Sequence, residues 1–260
     1  MQRFRASDGA EIGYVEQGSG NARLLFVHGW QADHSVWDDV ISKLGPAVRS
    51  VAVDLRGSGS SNGARGPHNL ERFAADLREL ADAMGSGPLV VVGHSMGATV
   101  ALRLAVDAPG LVSGLILIAP VPAGGAGFSP KGADYLRATA GNPAAARKWL
   151  SAMFAGEPDA PVLQRLCDAA GKTPRDAALE SFESWANANF AEATRTISAP
   201  AIVVAPERDN PEMYERKVAA LLPNARFVLL PACGHYAIME RPSEIATLIG
   251  DMQERLMGPA

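Results

Sequence analysis

Short, nearly continuous runs of apolar residues alternate along this chain with stretches whose apolar residues recur at helical spacing. Strands that are buried on both faces have this character, because helices cover both sides of a parallel sheet. In the first half of the chain the runs predict strands over residues 23–27, 48–53, 89–92 and 115–118. The alternation therefore predicts an α/β protein with a mostly parallel sheet between two layers of helices.

The helical stretch that is easiest to recognise is residues 69–84. Leu70, Phe73 and Leu77 follow the helical period, and Gly85 supplies a stop. This segment is predicted to be a helix that packs one apolar stripe against the sheet.

The other elements predicted for the sheet region have a weaker hydrophobic pattern or lie later in the chain. Residues 10–17 predict an edge strand before the sheet. Two further strands are predicted over residues 201–204 and 225–230, and helices over residues 211–222 and 242–257.

The alternation of strands and helices is interrupted after residue 120 and resumes near residue 201. The glycine-rich joint at residues 122–127 is followed by an Ala-rich, helical stretch without strong strand runs. We therefore expect residues 1–120 and 198–260 to form one core, and residues 121–197 to form an inserted helical cap.

Composition narrows the functional classes. The 260 residues are 47% hydrophobic and 20% charged, as in ordinary globular proteins. A net charge of -4 and the lack of a basic block argue against a nucleic-acid partner. No apolar run is long enough to span a bilayer, no signal peptide is recognisable and only two cysteines occur. We therefore expect a cytoplasmic protein without a membrane partner. The sequence leaves its oligomeric state open.

The strongest chemical signal is the pentapeptide at residues 93–97, which has the form Gly-x-Ser-x-Gly. It lies directly after a predicted strand and directly before a helical run, which is the context of a nucleophile elbow. Flanking glycines allow the tight turn that exposes the serine hydroxyl. We therefore predict Ser95 as a nucleophile, which requires a base, an orienting acid and oxyanion donors.

Loops after the last two predicted strands supply the base and the acid. His235 lies in the loop after the last predicted strand. None of the other four histidines lies in such a loop late in the chain. Asp209 follows the penultimate strand and gives the chain order nucleophile, acid, base. Glu207 is the rival acid, because it lies closer to the end of that strand.

Backbone N–H groups are the expected oxyanion donors. The N–H of Met96 directly follows the nucleophile, and we expect the second donor to be the N–H of Trp30 in the turn after an early strand.

Other sequence features do not favour a bound cofactor or metal. Residues 57–62 nearly match a dinucleotide fingerprint, but Asn62 replaces its third glycine. No metal-binding motif is recognisable. We therefore predict catalysis with neither a cofactor nor a metal, on a small-molecule substrate.

Five segments in this order resemble the α/β-hydrolase family over nearly the whole chain. They are residues 28–30, residues 54–61, the elbow at Ser95, the Asp209 loop and Gly234-His235. The resemblance implies a mostly parallel eight-stranded sheet with a helical cap after the sixth strand. One departure is Pro206, where the family often has glycine three residues before the acid.

The identity of the nucleophile then narrows the chemistry. Haloalkane dehalogenases and epoxide hydrolases of this fold place an aspartate at the elbow, so Ser95 favours a serine hydrolase of the carboxylesterase type. The expected reaction is hydrolysis of a carboxylic ester, lactone or thioester through an acyl-enzyme. We expect a small to medium, largely apolar substrate, with contacts from Trp30, His34, Met96, Trp149, Met153, Phe154 and Trp185.

Two other hypotheses remain open from sequence. Residues 29–34 are similar to a stretch found in cofactor-free ring-cleaving dioxygenases of this fold, where a His/Asp pair acts and the serine is not a nucleophile. The chain could also be a non-catalytic ligand-binding member of the fold.

Overall fold

A single sheet of eight strands organises the computed structural model, which describes residues 1–20 and 23–257. The strands are β1 (Gln2–Arg5), β2 (Glu11–Gln17), β3 (Arg23–Val27), β4 (Arg49–Val53), β5 (Leu89–His94), β6 (Gly114–Ile118), β7 (Ala201–Pro206) and β8 (Ala225–Leu230). Their spatial order is β1-β2-β4-β3-β5-β6-β7-β8. The pairs β1–β2 and β2–β4 are antiparallel and the others are parallel, which confirms the predicted fold class.

The prediction of an edge strand at residues 10–17 was wrong in one respect. Strand β2 does form there, but β1 covers its outer side, so β1 is the edge. Residues 2–5 read Gln-Arg-Phe-Arg and are mostly exposed. Such a strand has no apolar pattern, because it is held by pairing with β2 rather than by burial.

The helices of the structure agree with the predicted alternation. They are α1 (Asp38–Leu44), α2 (Leu70–Ala83), α3 (Met96–Asp107), α4 (Pro130–Arg137), α5 (Pro143–Ala152), α6 (Ala160–Lys172), α7 (Arg175–Ala186), α8 (Pro211–Lys217), α9 (Ala237–Glu240) and α10 (Pro242–Met257). Helix α2 begins after Asn69, whose side chain accepts a hydrogen bond from the N–H of Arg72. The predicted helix over 211–222 ends early, because Val218 leaves helical geometry and only a short 3₁₀ turn follows.

Alternate residues of the central strands enter two different cores. In β3, Leu25 and Val27 pack on the side of α2 and α3, whereas Leu24 and Phe26 pack on the side of α1 and α10. Because successive strand residues point to opposite faces, a strand covered on both sides must be apolar throughout. This burial explains the continuous apolar runs of the sequence.

Helices α4 to α7 follow β6 and precede β7, inside the stretch predicted as a cap. The division into core and cap stays a prediction, and residues 21–22 and 258–260 of the predicted core lie outside the described residues.

The segment at residues 54–61 has a structural task. The buried carboxylate of Asp54 accepts hydrogen bonds from the backbone N–H and ring Nδ1 of His34, at 2.7 and 2.8 Å, and from the N–H and hydroxyl of Ser60. Burial alone would raise the pKa of Asp54, but the bond from His34 and the other donors hold it well below its ordinary value. The segment ties the end of β4 to the loop after β3.

A glutamine at position 34 tests the charge of this pair. The hydrogen bond to Asp54 raises the pKa of His34 above its ordinary 6.5, although burial opposes the shift. A histidine whose pKa is higher in the folded than in the unfolded state stabilises the fold. This contribution to stability is complete at pH values below the pKa of the unfolded state, and it is lost as the pH rises through the pKa of the folded state. We expect the His34→Gln variant to be less stable than the native chain below about pH 6.5, with the difference shrinking at higher pH.

Urea unfolding of both proteins between about pH 5 and 9 measures this difference in the free energy of unfolding. A difference that is constant over that range would show that His34 acts through packing alone.

Candidate active site

Three strand ends bring the predicted catalytic residues to one cavity. Ser95 directly follows β5, Asp209 follows β7 and His235 follows β8, and these strands run parallel. All three residues line a cavity of about 340 Å³. Their convergence follows from the topology, because the carboxyl ends of parallel strands share one edge of the sheet.

Ser95 lies in a strained turn between β5 and α3. Its φ is 54° and its ψ is -121°, a conformation that residues with a side chain rarely adopt. A Cβ atom at Gly97 would lie 2.2 Å from the carbonyl oxygen of Val27, and one at Gly93 would lie 2.6 Å from the Cα of Ala98. Both glycines are therefore required by close backbone contacts at the elbow.

His235 and Asp209 form a hydrogen-bonded pair. The distance from His235 Nδ1 to Asp209 Oδ2 is 2.5 Å. Burial alone would raise the pKa of Asp209, but the neighbouring imidazole and its hydrogen bond hold that pKa below the ordinary value. The carboxylate thus stays ionised and keeps a proton on Nδ1, which leaves Nε2 on the far side of the ring as a base.

Ser95 and His235 share the cavity, but no hydrogen bond between their side chains occurs in the described structure.

Glu207, the rival acid, has a different partner. Its carboxylate accepts a hydrogen bond of 2.7 Å from the backbone N–H of Ala232, and it does not line the cavity. Glu207 therefore braces the loop that carries His235, whereas Asp209 contacts the imidazole itself.

The two predicted oxyanion donors lie beside the elbow. Gly29 packs against Ser95, since a Cβ at Gly29 would lie 3.2 Å from the serine Cβ. The next residue, Trp30, lines the cavity. Within the described part of the chain, the N–H groups of Trp30 and Met96 have no protein acceptor. Their role as oxyanion donors stays a prediction.

Three of the other histidines are committed to structural contacts. The ring of His28 donates to the carbonyl of Gly29 and accepts from the N–H of Leu55, so it is neutral, and its burial lowers its pKa. His34 is bound to Asp54, and His68 contacts Glu180.

His94 supports the loop of His235. Its Nε2–H donates a hydrogen bond of 2.9 Å to the backbone carbonyl of His235, and burial lowers the pKa of its ring to about 3. His94 therefore remains a neutral donor at ordinary pH.

The loop between α5 and α6 contacts the loop of His235 directly. The backbone N–H of His235 donates to the carbonyl of Met153 at 2.8 Å. The carboxylate of Glu240 accepts from the N–H groups of both Ala155 and Gly234. A Cβ at Gly234 would lie 2.4 Å from the nitrogen of Ala155, so only glycine permits this contact.

The cavity wall contains some of the predicted substrate contacts. Trp30, Trp149, Met153 and Trp185 line it, together with residues that the sequence did not single out. These additional residues are mostly apolar or aromatic, and include Val121, Pro122, Phe128, Tyr135, Leu136, Met213, Tyr214 and Tyr236. They come from loops and cap helices without a motif, so no local signal marks them.

Three of the predicted substrate contacts, His34, Met96 and Phe154, do not line this cavity. The ring of His34 turns to Asp54, and the side chain of Met96 is buried in the core beneath the elbow. Phe154 stacks on Tyr236, with ring centroids 5.1 Å apart, on the other side of the histidine loop. Each of these residues is next to the site in sequence, but a tertiary contact directs its side chain elsewhere.

The described residues show neither a membrane-spanning helix nor a metal-binding cluster. Over residues 1–20 and 23–257, every helix is too short or too polar to cross a membrane. The same residues contain no group of three His, Cys, Asp or Glu side chains arranged to hold a metal ion.

Known proteins with similar sequences include enzymes of several kinds. The chain is 28% identical to a putative non-heme bromoperoxidase of Mycobacterium tuberculosis over 91% of this chain and 95% of that protein. It is 39% identical to the lipase LipV of Mycobacterium tuberculosis over 40% of each chain. The chain covers only 33–40% of the length of this lipase and the other curated relatives matched over short segments.

Solved structures show the same fold. An esterase from Exiguobacterium antarcticum superposes with a TM-score of 0.88 at 18% identity, covering 97% of this chain and 99% of the esterase. The sequence model of the "Alpha/beta hydrolase family" matches residues 24–248, which include the elbow, the Asp209 loop and His235. This chain therefore belongs to the α/β-hydrolase family.

Proposed function

We propose that this protein is a serine hydrolase that cleaves a carboxylic ester, lactone or thioester of a small to medium apolar substrate through an acyl-enzyme. The observation that carries the proposal is the 2.5 Å contact between His235 Nδ1 and Asp209 Oδ2, in the cavity that also contains Ser95. Support for ester chemistry comes from the similarity to a lipase.

In the first half of the reaction, His235 Nε2 takes the hydroxyl proton as Ser95 Oγ forms a bond to the substrate carbonyl carbon. The carbonyl oxygen becomes negative and binds the N–H groups of Trp30 and Met96. Asp209 stabilises the resulting imidazolium without taking its proton. His235 then passes the proton to the leaving group as its bond to the carbonyl carbon breaks.

The second half repeats these steps with water. His235 takes a proton from the water, whose oxygen attacks the acyl carbon, and the same N–H groups bind the oxyanion. The proton then returns to Ser95 Oγ as the acid product leaves.

The composition of the cavity supports an apolar and uncharged substrate. Its volume of about 340 Å³ lies within the range of small-molecule sites. Its lining residues include no lysine or arginine, and its acidic member, Asp209, is paired with His235. An anionic substrate would be transferred from water into this cavity without a compensating cation.

The ring-cleaving alternative has less support. It rests on the resemblance of residues 29–34, and the ring of His34 there is bound to Asp54 rather than placed on the cavity wall. A non-catalytic ligand-binding protein would not need the strained backbone of Ser95 or the hydrogen bond between His235 and Asp209.

Alanine at position 95 tests the serine mechanism. We expect Ser95→Ala and His235→Ala each to lower kcat for p-nitrophenyl esters by roughly 10³-fold or more, because the nucleophile and its base act as a unit. Covalent labelling by a fluorophosphonate, followed by intact-mass spectrometry, should also be lost in both variants. Glu207→Gln is the matched control, since Glu207 contacts the loop and not the imidazole; it should retain labelling.

Other outcomes identify the alternatives. Turnover that survives in Ser95→Ala with consumption of oxygen would indicate the dioxygenase reaction. Absence of labelling and turnover in the native protein would leave a ligand-binding member of the fold.

Substrate charge gives a second prediction. A neutral p-nitrophenyl butyrate should have a kcat/KM at least about tenfold higher than the anionic p-nitrophenyl hemisuccinate of similar size, because the cavity offers no cation to the carboxylate. Met213→Arg introduces a cation on the cavity wall and should narrow this ratio, whereas Met213→Leu should not. Equal kcat/KM values for the two esters in the native protein would contradict the prediction.

A further inference from the structure

Asp209 uses one oxygen atom for two hydrogen bonds. Its Oδ2 accepts from His235 Nδ1, and the hydroxyl of Tyr214 also donates to Oδ2. Tyr214 is 2% exposed, so its hydroxyl needs a hydrogen-bond partner within the protein. A buried phenol usually finds a partner, but here that partner is the carboxylate that contacts the imidazole.

The other supports of the Asp209 carboxylate are few. Among the described residues, no group donates a hydrogen bond to Oδ1, and no backbone N–H donates to either oxygen. The main chain of this loop is held by bonds from Glu207 to Leu230 and from Arg208 to Cys233. These bonds fix the backbone but leave rotation about the side-chain bonds of Asp209 free.

Local structure explains why Tyr214 reaches this oxygen. Pro211 is the first residue of α8, and Tyr214 lies in the opening turn of that helix. Side chains on a helix lean toward its N-terminus, which here is the end that follows Asp209. The ring is thereby directed back over the loop onto the carboxylate.

We propose that Tyr214 is a positioning residue for the reaction, which holds the Asp209 carboxylate in the orientation that fixes the ring of His235. The inference rests on the proposed function. Tyr214 remains a donor over the working pH range, because burial and the adjacent carboxylate raise the pKa of its hydroxyl. Its ring lines the cavity, but its hydroxyl acts on the reaction through Asp209 and His235.

Tyr214→Phe removes only the hydroxyl and keeps the buried ring. We expect kcat for a neutral ester to fall about tenfold, as for one lost hydrogen bond to a charged group, with KM unchanged. The downfield N–H proton of His235 in the NMR spectrum, identified by its absence in His235→Ala, should shift. In an Asp209→Ala background, Tyr214→Phe should change kcat by less than about twofold, because the hydroxyl acts through that carboxylate.

Tyr14→Phe is the matched control. The hydroxyl of Tyr14 also bonds to a side-chain oxygen, that of Gln2 at 2.8 Å, but on the edge of the sheet. This variant should leave both kcat and the His235 resonance unchanged. A fluorinated tyrosine at position 214 is a stronger donor that keeps the residue in place, and it should shift the resonance in the opposite direction to phenylalanine.

The failure of this inference is distinguishable from failure of the proposed function. If Ser95→Ala abolishes turnover but Tyr214→Phe alters neither kcat nor the resonance, the hydrolase stands and Tyr214 only satisfies its own hydroxyl. If the native protein shows no turnover or labelling, the proposed function fails. The His235 resonance still tests the contact among Tyr214, Asp209 and His235 in that case, and its lack of response to phenylalanine or to the fluorinated tyrosine would overturn the inference.

Discussion

The backbone of Ser95 is the constraint around which the site is arranged. A non-glycine residue with a φ of 54° in such a turn costs on the order of 1–3 kcal/mol, and the surrounding structure must supply that energy. The N–H of Ser95 donates to the carbonyl of Ile118 at 2.9 Å, and Gly97 packs against the ends of β3. These contacts come from the central strands, so the sheet itself holds the turn in this conformation.

Coupling between the helical insertion and the histidine loop follows from their shared hydrogen bonds. The carbonyl of Met153 accepts from the backbone of His235, and Glu240 joins Ala155 to Gly234. A displacement of the loop between α5 and α6 would therefore move the histidine loop as well. The loop that supplies Met153 to the cavity wall and the loop that carries His235 are thus joined by direct hydrogen bonds.

Electrostatics in the cavity depend on a small number of groups in apolar surroundings. Asp209 is ionised and paired, while His94, which also lines the cavity, is kept neutral by burial. A second positive charge next to His235 would disfavour the imidazolium that the proposed reaction needs. The neutral His94 supports the loop through its Nε2–H without this cost.

The sequence by itself determined the fold class, the buried strands of the sheet and the elbow at Ser95, but not the exposed strand β1. These features depend on local requirements: burial of a strand on both faces demands apolar runs, and the strained turn demands flanking glycines. Only the tertiary structure decided that Asp209 rather than Glu207 contacts His235, that His34 and Phe154 turn away from the cavity, and that Tyr214 binds the acid. Those choices depend on side-chain directions set by packing between segments distant in sequence, and no local pattern encodes such directions.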